Sequence, residues 1–140
     1  EASQAALAAG AKAATDVTGF GLLGHLYKMC RASGVAAELD FSAVPAIDGA
    51  KEALADGFIP GGSRRNLDWV RPHLSVESEA ISEEGLISLA DAPTAGGLLV
   101  IGEAPGYPVI GRTVERGVEP TGEGNGGSGA GENTAYISVR

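Results

Sequence analysis

Apolar side chains recur at three- and four-residue spacing through Phe20, Leu23, Leu26, Tyr27 and Cys30, which is the period of a helix that buries one face. The spacing predicts a helix over Gly19–Ala32, with Thr18 as its N-cap and Gly34 as its terminating glycine. Before it, residues 2–14 are rich in alanine and free of proline, which favours a shallowly packed helix carrying Leu7. After it, Val35–Phe41 suits a short strand, and Val44-Pro45 restarts the chain toward a helix over Ala46–Asp56 that Gly57 stops. Ser63 is placed to cap a short helix running to Arg71, ended by Pro72. Leu74–Ser78 reads as a weak strand, and Glu79–Ala90 as a helix burying Ile81, Leu86 and Leu89. Leu98–Ile101 is an uninterrupted apolar run of the kind found in central strands. Val109–Val114 and Tyr136–Val139 are two further strand candidates, and the Gly/Ser/Glu-rich stretch 121–131 between them is expected to be a mobile loop. Strands and helices so mixed predict an α/β (α+β) fold, one domain over residues 1–140 built on a mixed β-sheet.

Composition narrows the function. With 44% hydrophobic and 20% charged residues the chain can bury a core, although 22 glycines and 7 prolines demand many turns. Ten Lys+Arg against 18 Asp+Glu leave a formal charge of −8, which disfavours nucleic acid and anionic membrane surfaces as partners. Cys30 is the sole cysteine, so no internal disulfide forms, and no apolar run of about 18 residues is available to cross a bilayer. The cytoplasm is the expected compartment. One cysteine and the widely spaced His25 and His73 cannot build a Cys/His zinc site, so a metal here would be a hard cation held by carboxylates. The chain starts on Glu1 rather than Met, as expected of a trimmed product or a piece of a longer polypeptide.

Three glycine-rich turns carry the candidate chemistry. In the string Ala14 to His25, Asp16 precedes Thr18 and glycines at 19, 21 and 24. Such a turn exposes backbone amides to phosphate oxygens and offers a carboxylate to their magnesium; equally, the glycines could serve close packing and the aspartate a helix cap. Pro60-Gly61-Gly62-Ser63-Arg64-Arg65-Asn66 pairs glycines with guanidinium groups that could grip an anion, or is a turn with a capping serine. Asp91-Ala92-Pro93-Thr94-Ala95-Gly96-Gly97 is a third anion candidate, or a bend before a strand. Cys30 reads as a core hydrophobe, and His25 and His73 as structural or solvated groups, His25 being near enough to the first turn to touch a ligand.

Taken in this order, the three strings resemble the C-terminal domain of selenophosphate synthetases, the selenide, water dikinases, from near Glu1 to about Val114. The resemblance implies the fold shared with aminoimidazole ribonucleotide synthetases, a mixed sheet with helices on both sides. It implies a reaction in which ATP, selenide and water give selenophosphate, AMP and phosphate, with Mg2+ and ATP as cofactors. It assigns the metal to Asp16, and nucleotide contacts to Thr18, Gly19, Gly21, Gly61, Gly62, Thr94, Gly96 and Gly97. The reactive thiol or selenol and most metal carboxylates belong to the N-terminal domain in that family, so no residue here is assigned as catalytic. The expected partner is an N-terminal ATP-binding domain of the same or another chain, with a homo-oligomer as a further expectation, and the chain alone is expected to be inactive. The chain departs from the family pattern where Pro93 and Ala95 stand at the glutamine- and serine-bearing positions of the third turn, and where the family has a whole helix between Ile101 and Val109. Strands 98–101 and 109–114 are therefore expected to pair antiparallel or to have that helix replaced. A second reading is a binding or assembly module that keeps the fold without ATP chemistry.

Overall fold

The computed structural model describes residues 1–94, 96–116 and 135–140. The expected loop 121–131 lies outside the described residues. Helix α1 spans Ala2–Ala8 and is shorter than alanine content predicts. The Ala11 N–H turns back to Ala6 O and the Lys12 N–H goes to Ile101 O, so Ala13–Asp16 departs as strand β1; tertiary pairing overrides helix propensity. Helix α2, Gly21–Ser33, buries Leu23, Leu26, Tyr27 and Cys30 as the periodicity predicts. It closes at Gly34, whose φ of 67° places it in the left-handed region. Its start differs from expectation. Phe20 occupies the N-cap position with no side-chain cap, because the Thr18 hydroxyl is engaged by His25 instead.

Strand β2 covers Val35–Leu39, followed by helices α3, Ala50–Ala55, and α4, Gly61–Val70. Pro60 precedes the first residue of α4, so Ser63 lies inside the helix and is not its cap. Strand β3 is Leu74–Val76. Helix α5, Glu83–Leu89, opens at Ser82, whose hydroxyl accepts the Gly85 N–H. It starts later than the hydrophobic pattern suggests because Ser78–Ile81 forms its own turn, with the Ala80 N–H on Ser78 Oγ and the Ile81 N–H on Ser78 O. Strands β4, Leu98–Ile101, β5, Gly111–Glu115, and β6, Ile137–Val139, complete the elements.

Four strands form a mixed sheet in the order β3-β6-β2-β5. β6 is parallel to both β2 and β3, and β5 is antiparallel to β2. Side chains alternate across a strand, so Ala37, Leu39, Ile137 and Val139 share the face that α2, α4 and α5 cover, and all four are buried in one core with Leu23, Leu67, Val70 and Ile87. The opposite face carries Glu38, which accepts ion pairs from Arg112 at 2.7 Å and Arg140 at 2.9 Å.

Strand β4 is not central. Among the described residues it pairs with β1 alone, antiparallel, Asp16 standing opposite Leu98. Of its apolar run only Leu99 is buried; Leu98, Val100 and Ile101 are partly exposed and line a groove of about 710 Å3 with Leu22, Leu26, Tyr107 and Ile110, among others. Residues 102–110 contain neither helix nor strand, and β4 and β5 pair with β1 and β2 rather than with each other. The antiparallel pairing expected as one solution for these two strands is thus not made. Among the described residues no helix is long and apolar enough to cross a membrane.

Candidate phosphate and metal site

The three glycine-rich strings, distant in sequence, meet in space. The Val17 N–H donates to Gly97 O at 2.9 Å, and a Cβ built on Gly96 would lie 1.8 Å from Val17 O. A Cβ on Gly21 would lie 2.5 Å from the carbonyl carbon and oxygen of Ala90. The first and third turns are therefore pressed backbone to backbone, which only glycine permits at those two points. Helix α4 ties them together. Its Asn66 Nδ2 donates to Gly19 O at 2.9 Å and to Ala90 O at 3.0 Å, and the fully buried Ser63 donates to Asp91 Oδ1 at 2.5 Å.

Asp16 ends β1 with an exposed side chain. Among the described residues its carboxylate has no hydrogen-bond or ion-pair partner. The amides that follow divide into used and unused. Val17 N–H is held by Gly97 O, Gly21 N–H by Thr18 O, and Thr18 N–H by His25 Nε2 at 3.2 Å. The N–H groups of Gly19 and Phe20 have no partner among the described residues, and a Cβ on Gly19 would meet nothing within 4 Å. An open carboxylate followed by two unpaired amides can hold a cation and accept anionic oxygens.

The expected contact residues fare unequally. Gly19 lies at the open amides, whereas the Thr18 amide is already occupied by His25. Gly21 and Gly96 serve the close packing of the two turns, and Gly97 contributes its carbonyl to Val17. Thr94 is exposed. Gly61 and Gly62 form the first turn of α4; a Cβ on either would approach only the Arg65 guanidinium, at 3.4 and 3.9 Å. No hydrogen bond among the described residues joins those two glycines to the Asp16 turn. Nor do three His, Cys, Asp or Glu side chains converge anywhere among the described residues, so Asp16 is a single carboxylate rather than a closed metal cage.

Sequence reasoning left His25 without a definite role, and a histidine seven residues from a threonine carries no recognisable signal. Its Nε2 accepts from the Thr18 N–H, which requires that nitrogen to be unprotonated and the ring proton to sit on Nδ1. Partial burial lowers its pKa below the usual 6.5, Lys28 lowers it further, and the Asp16 charge opposes both. Because the folded pKa lies below the unfolded value, the unfolded chain takes up the proton first. Stability conferred by neutral His25 is expected to be complete above about pH 6.5 and to fall as pH drops toward the folded pKa. An NMR titration of the His25 ring should give a midpoint below 6.5; a midpoint at or above that value would refute the assignment. Beside this residue the exposed Phe20 ring meets Trp69 at 5.6 Å between centroids, with Lys28 Nζ 3.7 Å over its face.

The family model for AIR synthase related protein, C-terminal domain, matches residues 1–120. Among curated proteins, the selenide, water dikinase of Bordetella bronchiseptica is 44% identical over 98 residues, covering 70% of this chain and 27% of that protein. That of Geobacter metallireducens is 48% identical over 90 residues, 64% of this chain and 26% of that protein. That of Caldanaerobacter subterraneus is 42% identical over 100 residues, 71% of this chain and 28% of that protein. The chain spans about a quarter of the length of these curated relatives.

Proposed function

Since the chain belongs to the family of AIR synthase related protein C-terminal domains, we propose that it is the C-terminal domain of a selenophosphate synthetase-like protein, contributing part of a site for ATP and Mg2+. The observation that carries this reading is the exposed, unpartnered Asp16 carboxylate three residues before the first of the two open amides, Gly19 and Phe20. This donor set fits a magnesium-bound phosphate: Asp16 would hold the cation, and the two amides would meet phosphate oxygens. Bound Mg2+ supplies charge neutralisation for a phosphoryl group that must accept another negative oxygen. The chain's own part is to orient that group, with Thr18 and His25 locked to each other so that the turn keeps its shape. One carboxylate is fewer than such a centre needs, so the remaining ligands come from an N-terminal ATP-binding domain of the same or another chain, and the 140 residues alone are inactive in selenophosphate formation.

The solitary carboxylate also favours a second reading, an assembly module that keeps the fold without ATP chemistry, alone or as a homo-oligomer. Calorimetric titration of Mg-ATP into the wild-type chain and Asp16→Ala separates the two. Weak, magnesium-dependent binding that the substitution weakens by roughly tenfold, about one charge-assisted contact, supports the first. No wild-type binding at millimolar Mg-ATP would leave only the second.

A further inference from the structure

Asn66 sits in the second turn of α4, partly buried. A primary amide nitrogen carries two hydrogens, and here both are used, one on Gly19 O and one on Ala90 O. The two acceptors come from segments 47 residues before it and 24 residues after it. Ser63, three residues earlier on the same helical face, fixes Asp91, the residue next to Ala90. Helix α4 therefore holds the third turn at two consecutive positions and the first turn at one.

The bond to Gly19 bears on chemistry. A trans peptide is planar, with its carbonyl and N–H on opposite sides, so anchoring the Gly19 carbonyl to α4 directs the Phe20 N–H away from that helix. The turn that the Gly21 N–H closes on Thr18 O favours the same orientation, since Phe20 has φ −96° and turning the peptide over would drive it to positive φ, and the Asn66 bond adds to that local preference. If the peptide turned over, a carbonyl oxygen would face an incoming anion where an amide hydrogen now does. The neighbouring contacts between Gly21 and Ala90, and between Gly96 and Val17, are backbone packing that does not involve this peptide.

We propose that Asn66 is a positioning residue: by holding the Gly19 carbonyl it keeps the Phe20 amide open to phosphate oxygens, and so sets affinity for the phosphate moiety without touching the metal ligand. The proposal rests on the reading of the Asp16 turn as a phosphate and metal site. It predicts a split that loss of structure would not produce. In the full 140-residue chain, Mg2+ alone should perturb the Asp16 carboxylate carbon resonance equally in wild type and Asn66→Ala. Mg-ATP should shift the Phe20 amide resonance in wild type, and in the variant this response should be weakened by roughly tenfold in affinity, as expected for loss of one hydrogen-bonded orientation.

Thermal melts establish that the variant is folded at the titration temperature; if Asn66→Ala is not, Asn66→Ser, which retains one short donor, is tested for the same split. Wild-type affinity with a retained Phe20 shift in a folded variant would overturn the role of Asn66 and leave the site reading intact. Equal loss of the Mg2+ and Mg-ATP responses would also overturn it, by showing a general structural effect. Absence of any Phe20 response in wild type would sink the site reading and this proposal with it.

Discussion

Gly21→Ala is expected to destabilise the protein by about 2 to 5 kcal/mol, from about 1–2 for a side chain in the left-handed region and about 1–3 for overpacking. Both causes act at one residue. Gly21 has φ +68, and its new Cβ would lie 2.5 Å from the carbonyl carbon and oxygen of Ala90, which are backbone atoms unable to step aside as a flexible side chain could. Two comparisons separate the causes. Gly34 has φ +67 with nothing within 4 Å, so Gly34→Ala carries the conformational cost alone, about 1–2 kcal/mol. Gly96 has no such φ but would place its Cβ 1.8 Å from Val17 O, so Gly96→Ala carries the clash alone. Gly19→Ala meets no atom and should stay within about 0.5 kcal/mol of wild type. Urea unfolding of the four variants tests the series. If Gly21→Ala unfolds at the wild-type midpoint, the two turns are not packed as described.

The same contacts explain what could and could not be read from the chain. Helix α2 was legible because a buried helix leaves its period in the sequence and Gly34 marks its end. The three glycine-rich strings were legible as candidates, and Asp16 as the candidate carboxylate, since such turns need small residues in a run. Their junction was not. A glycine that permits a turn and one that admits another backbone look identical in sequence, so nothing in the chain shows that Gly21 and Gly96 each face main chain from another segment. Asn66 lies within the second glycine-rich string, yet nothing in that string shows that one carboxamide reaches both Gly19 and Ala90. Strand β1 escaped because Ala13-Ala14 favours a helix locally, whereas its conformation is set by pairing with residues 98–101. The run Leu98–Ile101 misled in the opposite sense: apolar side chains signal burial, but only Leu99 of this run is buried, while Leu98, Val100 and Ile101 are partly exposed and line the groove.

Cys30 is expected to be at least about 100-fold slower toward a thiol reagent at pH 8 in the native chain than in urea. Burial raises its pKa from 9.0 to about 11, and each unit removes about tenfold of the reactive thiolate. Steric access lowers the rate further, because the residue is only 1% exposed within the core of α2. The shift also has a stability consequence of definite sign. An acid whose folded pKa is raised is deprotonated first in the unfolded chain, so the stability conferred by the neutral thiol is complete below pH 9.0 and lost as pH climbs toward about 11. Cys30→Ala should remove that alkaline component while leaving behaviour near neutrality in place. Labelling with a chromogenic disulfide, followed with and without denaturant, provides the measurement. Comparable rates in the two states would mean that the thiol is accessible and ionisable in the native fold, and would reopen it as a chemical group; the expected disparity confines it to packing.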